Sequence, residues 1–296
     1  MAAIATSGIT VPVSVANDIW AKAQQTSVLA RLAQAEPQKF GQSNVMTLTG
    51  DIKAELVGEG AEKSPTNPTF GNITVNPRKL QVTVRMSNEV KWADEDFMLD
   101  VWNTCAERGA GALGRALDLV GIHKLNPLTG TVASSVSEGI ADTTNSTTLT
   151  PGDYVEAVEA AAGLVIADGY VPTGVAFDPT FSFGLATQRD GNSLLINPAL
   201  GFGTDLTSYA GMAAAVSNTV SASAEAATAT KVLAIVGDYS AFRWGVQREI
   251  AAHIVEFGDP DGLGDLQRQN QIALRMEIVY GIGIADKDAF AKIVSA

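Results

Sequence analysis

The residue types that most often do chemistry in proteins are scarce in this chain of 296 residues. It has two histidines, His123 and His253, and a single cysteine, Cys105. Neither histidine has a second ligand at the spacing of a zinc site, and a Cys-His nucleophilic pair would need Cys105 and one of them. Cys105 falls in an apolar helical stripe, where a free thiol is usually a buried packing group. The sequence therefore predicts no metal site and no cysteine nucleophile.

Three aspartates around position 260 offer a second chemical option, a calcium site. Asp259, Asp261 and Asp265 are spaced like the first ligands of a calcium-binding loop. An EF-hand requires a bidentate Glu at its twelfth position, and that position is Asn270 here. We therefore expect a solvated acidic turn without a bound metal.

Two further carboxylates could serve as the general acid and base of a soluble α+β enzyme. Glu156 and Glu159 are three residues apart, which places them on one face of a predicted helix. A solvated helix face explains this spacing better than an active site does. The sequence also contains no Gly-x-Ser-x-Gly elbow and no Walker A loop. It therefore predicts no catalytic residue, no cofactor and no enzyme activity.

The composition indicates a folded, acidic protein. The chain has 20 Lys and Arg against 32 Asp and Glu, a net charge of −12, and 46% of its residues are hydrophobic. That apolar content is enough to form packed cores. The longest apolar runs fall far short of the ~20 residues of a membrane helix, and no secretory signal is visible. We expect a soluble intracellular protein of two modest domains or one elaborated domain, with no membrane partner.

The first third of the chain predicts an arm followed by a long hairpin. Residues 1–43 suggest an extended arm with a weakly helical end, and the polar, turn-rich segment 58–68 suggests a hairpin tip. Predicted strands flank this tip at 45–49, 52–57 and 80–86. Because a lone hairpin is marginally stable in water, it must fold back onto its own domain or lie on another subunit. Its length and its polar tip favour a projecting arm.

A long amphipathic helix is predicted from residue 94 to residue 123. Asp94, Glu95 and Asp96 place negative charge on its first turn, and His123 and Lys124 place positive charge at its last, as the helix dipole favours. At ~1.5 Å per residue it would be ~45 Å long. Its glycines suggest that a neighbouring backbone approaches closely or that the helix bends there. The residues expected to pack this helix against the rest of the protein are Met98, Trp102, Cys105, Leu113 and Val120.

The second half of the chain predicts a separate acidic α/β unit followed by long strands. Residues 127–240 carry a net charge of −9. Helices are predicted at 151–166 and 180–187, strands at 174–177 and 231–236, and surface loops at 134–149 and 217–230. Strict alternation over 272–280 predicts a half-buried strand. Because the acidic unit interrupts the chain, we expect the long helix and the C-terminal strands to share one discontinuous domain.

Four short segments follow one another along the chain, together with the arm and the long helix. They are 58–66 (GEGAEKSPT), 237–240 (GDYS), 270–281 (NQIALRMEIVYG) and 285–290 (ADKDAF). The ordered set resembles the major capsid protein of tailed double-stranded DNA bacteriophages. This resemblance implies an α+β capsid fold with an N-arm (1–43), an E-loop hairpin (44–90), a peripheral (P) domain with the spine helix (91–126 and 244–296), and an inserted axial (A) domain (127–243).

The resemblance also implies a function and partners. Copies of the chain would form hexamers and pentamers of an icosahedral shell around double-stranded DNA, as part of a virion assembled in the cytoplasm of a host bacterium. Relatives that scaffold themselves carry a long charged prefix, so the short arm implies a separate scaffolding protein or a prefix already removed. A portal protein and a decoration protein are further partners that the resemblance allows. The acidic balance argues against tight phosphate binding, so DNA would be enclosed without specific binding.

Charges on the predicted hairpin could set the register between subunits. Exposed ion pairs of this kind contribute only ~0–1 kcal/mol each, so their role would be orientation more than affinity. The residues expected at inter-subunit contacts are Glu55, Glu59, Glu62, Lys63, Arg78 and Lys79.

An encapsulin, a bacterial cargo compartment with the same fold, is the alternative. Encapsulins hold cargo with an amphipathic inner helix, and residues 19–32 could serve that purpose. The long hairpin and the preceding arm favour the phage shell.

Overall fold

The structure is a computed structural model that describes residues 27–48, 52, 54–60, 62–65, 70–97, 101–200 and 206–296. Its α-helices are α1 (Val28–Leu32), α2 (Asn88–Phe97), α3 (Val101–His123), α4 (Tyr154–Ala167) and α5 (Pro179–Thr187). Its strands are β1 (Ser43–Leu48), β2 (Phe70–Ser87), β3 (Ser146–Thr148), β4 (Gly174–Phe177), β5 (Ser208–Tyr209), β6 (Met212–Val216), β7 (Val232–Gly237), β8 (Phe242–Val255), β9 (Gln271–Ile284) and β10 (Phe290–Val294). Within the described ranges, no helix is both long enough and apolar enough to cross a membrane.

One sheet is antiparallel and has the strand order β1-β2-β9-β8. The 18-residue strand β2 serves two partners in turn, because its first part pairs with β1 and its second part pairs with β9. Leu80, Val82 and Val84 alternate along it and pack against the main core. The hairpin is therefore anchored at its base in the sheet of its own chain.

The strand predicted at 52–57 is absent among the residues described there, which have no regular structure. The sequence that would supply the partner strand contains Pro65 and Pro68, which lack the N–H that a ladder partner needs. The strands predicted at 45–49 and 80–86 are present within β1 and β2.

The second sheet is mixed and has the strand order β3-β10-β7-β4-β6-β5. Helix α4 contacts β10, β7 and β3, and α5 contacts β7. The core between these layers includes Val158 and Val165 of α4 and Phe177 of β4. We call this sheet with its two helices the A unit.

The C-terminal strand lies in the A unit, whereas the boundary expected from the sequence assigns residues 244–296 to the peripheral domain. Strand β10 pairs antiparallel with β7 and parallel with β3. Its burial pattern explains the placement, since Phe290, Ala291 and Ile293 are fully buried and need cover on both faces.

The long helix begins earlier than its charges suggest. Two helical segments, α2 and α3, occupy this part of the chain, so Asp94, Glu95 and Asp96 lie in the last turn of α2 and not in a first turn. A tertiary contact sets the start, because the Asn88 N–H donates to the carbonyl of Asn270 (3.0 Å) where β2 ends.

The end of α3 also differs from the dipole argument. His123 is buried, and its Nε2 donates to the carbonyl of Val220 (2.9 Å). Burial lowers the pKa of His123, so the ring is neutral at pH 7 and carries no charge for the helix dipole. Lys124 provides the positive charge and pairs with Asp142 (2.7 Å).

Segment 217–230, predicted as a surface loop, packs against α3. Thr219, Val220 and Ala222 are fully buried, and Ala222 contacts Leu119 of α3. The Ser- and Ala-rich composition gave no sign of this contact, because small residues suit both exposed loops and close packing.

Candidate subunit-contact surface on the hairpin and the spine helix

The hairpin tip is a loop closed by one side chain. The Glu55 carboxylate accepts hydrogen bonds from the Ser64 N–H (2.9 Å) and the Ser64 hydroxyl (3.2 Å). Glu59, Glu62 and Lys63 are exposed around this closure. Glu55 therefore shapes the tip, while the other three charges are available to a neighbour.

Large apolar side chains on the hairpin and the segment before it face solvent. Met46 and Ile52 are about two-thirds exposed, and Leu56 is completely exposed. Phe40, just before β1, is 71% exposed. Burying one such side chain fully is worth ~1.5–3 kcal/mol. A surface with several of them gains free energy when another protein covers it.

Arg78 is one of the two predicted contact residues on strand β2. It is half-buried, and its guanidinium forms no ion pair or hydrogen bond with any described residue. Burial alone lowers the pKa of Arg78. The side chain stands between two clefts that also share Val136, and the nearby Glu138 is paired with Lys287 (3.1 Å). Within the described part of the chain, the hydrogen-bond donors of Arg78 are therefore unused.

Lys79, its neighbour, already has a partner. The Lys79 ammonium lies 2.8 Å from the carboxylate of Glu277, whose side chain is only 9% exposed. Arg275 approaches the other oxygen of Glu277 at 3.9 Å. Lys79 therefore neutralises a mostly buried carboxylate within its own subunit.

The predicted packing residues of the spine helix, α3, lie at different depths. Leu113 and Val120 are buried in the main core, while Trp102 and Cys105 are half-buried against it. Met98 lies outside the described residues.

At Gly109 and Gly121 of α3 the close neighbours are side chains, not the neighbouring backbone that was expected. A Cβ on Gly109 would lie 1.9 Å from Cε of Met276 in β9. Segment 109–114 also has the spacing Gly-x-Gly-x-x-Gly of a dinucleotide-binding loop. It lies inside a continuous helix and not at a strand-to-helix turn, so its backbone N–H groups are not available to a phosphate.

The acidic turn around residue 260 is tied to β2 by an arginine. The Arg85 guanidinium contacts both carboxylate oxygens of Asp261, the side chains of Gln269 (2.8 Å) and Gln271 (3.0 Å), and the carbonyl of Gly264 (2.9 Å). The hydrogen bonds from Arg85 lower the pKa of Asp261. Across the described residues, no group of three or more His, Cys, Asp and Glu side chains could hold a metal ion.

The carboxylates considered for catalysis lie on the solvent face of α4. Glu156 and Glu159 are both exposed, and Glu156 accepts a hydrogen bond from the amide of Gln188 (3.2 Å). The same Gln188 side chain accepts from the Val155 N–H (2.9 Å). This arrangement secures the start of α4.

Sequence reasoning missed two buried residues, Asp118 and Trp244, that form hydrogen bonds with the N-terminal segment. Both are fully buried and hold the segment before β1. A signal existed for Asp118, because it is the one charged residue in the apolar run 116–122 of the spine helix.

Comparison with known proteins identifies the family of this chain. The sequence model of the Phage capsid family matches residues 7–295. The chain belongs to this family. As a phage capsid protein it is a structural component of the virion, and the phage shell is favoured over the encapsulin alternative.

The relatives of this capsid protein match it over most of its length. It is 24% identical over 292 residues to "Probable major capsid protein gp17" of Mycobacterium phage D29, covering 95% of this chain and 88% of the relative. A solved structure from Mycobacterium phage Ogopogo is 50% identical, with a TM-score of 0.84 and coverage of 91% of this chain and 92% of the other. One from Gordonia phage Cozz is 32% identical, with a TM-score of 0.81 and coverage of 91% and 86%. The predicted α+β tailed-phage capsid fold is therefore confirmed.

Proposed function

We propose that this capsid protein is the subunit of an icosahedral phage head, in which hexamers and pentamers of one chain enclose double-stranded DNA. The family match over residues 7–295 carries the proposal. Shell formation requires many copies to bury surface on one another, and obligate interfaces of this kind bury ~2,000–5,000 Å².

The hairpin supplies surface of the right kind. Met46, Ile52 and Leu56 are apolar and exposed in the single chain, so a neighbouring copy would gain free energy by covering them. Glu59, Glu62 and Lys63 surround them with charges of both signs that would fix the register. In this arrangement Arg78 donates hydrogen bonds to a carboxylate of the neighbouring copy, and Lys79 contributes less because it already pairs with Glu277.

The charge distribution supports enclosure of DNA without specific binding. Residues 127–240 carry a net charge of −9 out of −12 for the whole chain. Tight binding of duplex DNA needs clustered Lys and Arg to displace counterions from phosphates. A steep salt-dependent affinity of isolated capsomers for DNA would contradict this part of the proposal.

The partners of assembly belong to the same proposal. A separate scaffolding protein would direct the copies into a shell of correct size, a portal protein would occupy one vertex, and a decoration protein would bind the finished surface. Assembly would take place in the cytoplasm of the host bacterium.

Electron microscopy tests the proposal directly. The chain would be produced in bacteria with its scaffolding protein, and the purified product imaged by negative stain. We expect closed shells of uniform diameter. A product that stays monomeric under these conditions would contradict a shell-forming role.

A pair of matched variants tests the hairpin surface. Leu56→Ser removes a completely exposed apolar side chain from the hairpin, and Leu128→Ser removes one that is 93% exposed elsewhere. Neither should shift the unfolding temperature of the unassembled chain. Leu56→Ser should reduce the yield of shells and Leu128→Ser should not, and equal yields would exclude the hairpin from the contact.

A further inference from the structure

A buried carboxylate in the spine helix holds the segment that precedes the hairpin. Asp118 is fully buried in the middle of α3. Its Oδ1 accepts hydrogen bonds from the Ser27 hydroxyl (2.6 Å) and the Leu29 N–H (3.0 Å). Its Oδ2 accepts from the Val28 N–H (2.9 Å) and the Thr219 hydroxyl (2.7 Å). Since a buried charge is tolerated only when it is well hydrogen-bonded, these donors and the carboxylate depend on one another.

The donors come from two separate parts of the chain. Ser27, Val28 and Leu29 form the start of α1, a helix of five residues that could not persist alone in water. Thr219 lies in the loop after β6 of the A unit. Asp118 therefore joins the N-terminal segment, the spine helix and the A unit at one point.

A second attachment lies at the start of β8. The Trp244 indole N–H donates to the carbonyl of Ala33 (3.0 Å), and the Glu36 N–H donates to the carbonyl of Trp244 (2.9 Å). Arg243 forms an ion pair with the Glu36 carboxylate. The path of the backbone requires Gly245, because a Cβ there would lie 2.0 Å from the Glu36 carbonyl oxygen.

A third attachment lies at a bulge in β8. The pairing of β8 with β9 shifts between Val246 and Arg248, which leaves Gln247 outside the ladder. The Gln247 side chain accepts from the Gly41 N–H (3.0 Å) and donates to the Gly41 carbonyl (2.9 Å). Gly41 has a φ of +113°, a conformation that favours glycine.

We propose that residues 27–41 are a separable strap and that Asp118 is its lock. Loss of the Asp118 carboxylate releases the strap from the body of the protein while both sheets stay folded. The second and third attachments join the strap to β8, and Val28 and Leu29 also pack in the core that contains Ala176 and Ala215 of the A unit. Of the three hydrogen-bonded attachments, Asp118 is the one that also bonds Thr219.

Hydrogen exchange read by mass spectrometry on the unassembled full chain tests the lock. Asp118→Asn keeps the side-chain shape but presents an amide donor to the Val28 N–H, which can only donate. We expect the amides of residues 28–41 to exchange at least 10-fold faster, with those of β7 and β9 unchanged. Asp153→Asn, at an exposed position without a side-chain cap bond, is the matched control and should change neither region.

Two results would overturn the proposal. Unchanged protection of residues 28–41 in Asp118→Asn would show that the carboxylate is not the lock. Simultaneous loss of protection in the strap and in both sheets would show that the strap is not a separable unit.

A milder variant keeps the test decisive if Asp118→Asn does not fold. Thr219→Val removes one donor to Asp118 and leaves the sequence of the strap unchanged. We expect it to raise exchange at the strap amides about 3-fold and to speed tryptic cleavage after Arg31, an exposed residue of α1. Exchange and cleavage rates equal to those of the wild type would refute the coupling. Because these measurements precede assembly, they can fail or succeed independently of shell formation.

Discussion

Replacing glycine by alanine in the two helices of the A unit should change stability in opposite directions. Gly163 lies inside α4 and Gly184 inside α5. Alanine is favoured over glycine in a helix interior by about 1 kcal/mol, and this gain applies equally at both positions. The difference between them comes from the space available for one methyl group.

That space is open at Gly163 and filled at Gly184. A Cβ on Gly163 would meet no atom within 4 Å. A Cβ on Gly184 would lie 2.2 to 2.7 Å from three atoms of the Tyr154 ring. This ring packs edge-on against Phe181, with 5.2 Å between the centroids, so it cannot move freely. Overpacking of this kind costs about 1–3 kcal/mol, which exceeds the helix gain.

The expected result is a pair of shifts with opposite signs. A change of 1 kcal/mol moves the unfolding temperature of a protein of this size by about 2 °C. Gly163→Ala should raise it by about that amount, and Gly184→Ala should lower it by a similar or larger amount. Calorimetry of the unassembled chain, together with circular dichroism, measures both. Tyr154→Ala removes the ring, and in that background Gly184→Ala should no longer destabilise.

Two results would refute this reasoning. Equal increases for the two single variants would mean that Tyr154 yields without cost. A destabilising Gly184→Ala in the Tyr154→Ala background would assign the loss to something other than the ring.

Three further predictions follow from charged and buried groups. Arg85→Lys cannot contact both Asp261 oxygens and its other acceptors at once, so segment 256–270 should exchange amide hydrogens several-fold faster; an unchanged rate would make the arginine dispensable. His123 is neutral and its pKa is lowered by burial, so its stabilising contribution is present above the unfolded pKa of about 6.5 and is lost as pH falls toward the folded value. His123→Gln keeps a donor for the Val220 carbonyl, and its unfolding temperature should fall less than that of the wild type between pH 7.5 and 5.5; equal falls would contradict this. Arg78→Glu should abolish closed shells without changing the unfolding temperature by more than about 1 °C, whereas Lys231→Glu, a change at an exposed cation, should leave shells intact.

Local patterns predicted much of the secondary structure. The apolar run 174–177 coincides with β4, and the alternation over 272–280 lies within β9. These patterns are reliable because side-chain direction in a strand depends only on the residue's own position. The order of elements also sufficed for the fold class and the family.

The contact surface was predictable in part. Exposure of Glu59, Glu62 and Lys63 follows from their position in a polar tip, which sequence shows directly. Sequence shows that Arg78 and Lys79 face opposite sides of the sheet. It does not show which residues lie beside each of them, because that depends on the strand that pairs with β2. Only the pairing of β2 with β9 places Glu277 beside Lys79 and leaves Arg78 between two clefts.

The sequence alone determined the family and the fold class, and its local patterns predicted strands such as β4 and β9. Tertiary structure decided where β10 pairs, where the helix before the spine begins, and which carboxylate is buried. The apolar run around Asp118 marks it as unusual, but its donors on Ser27, Val28 and Thr219 come from about 90 and 100 positions away, and only the tertiary structure identifies them. Periodicity reports the faces of an element, but burial and pairing depend on the distant segments that meet those faces.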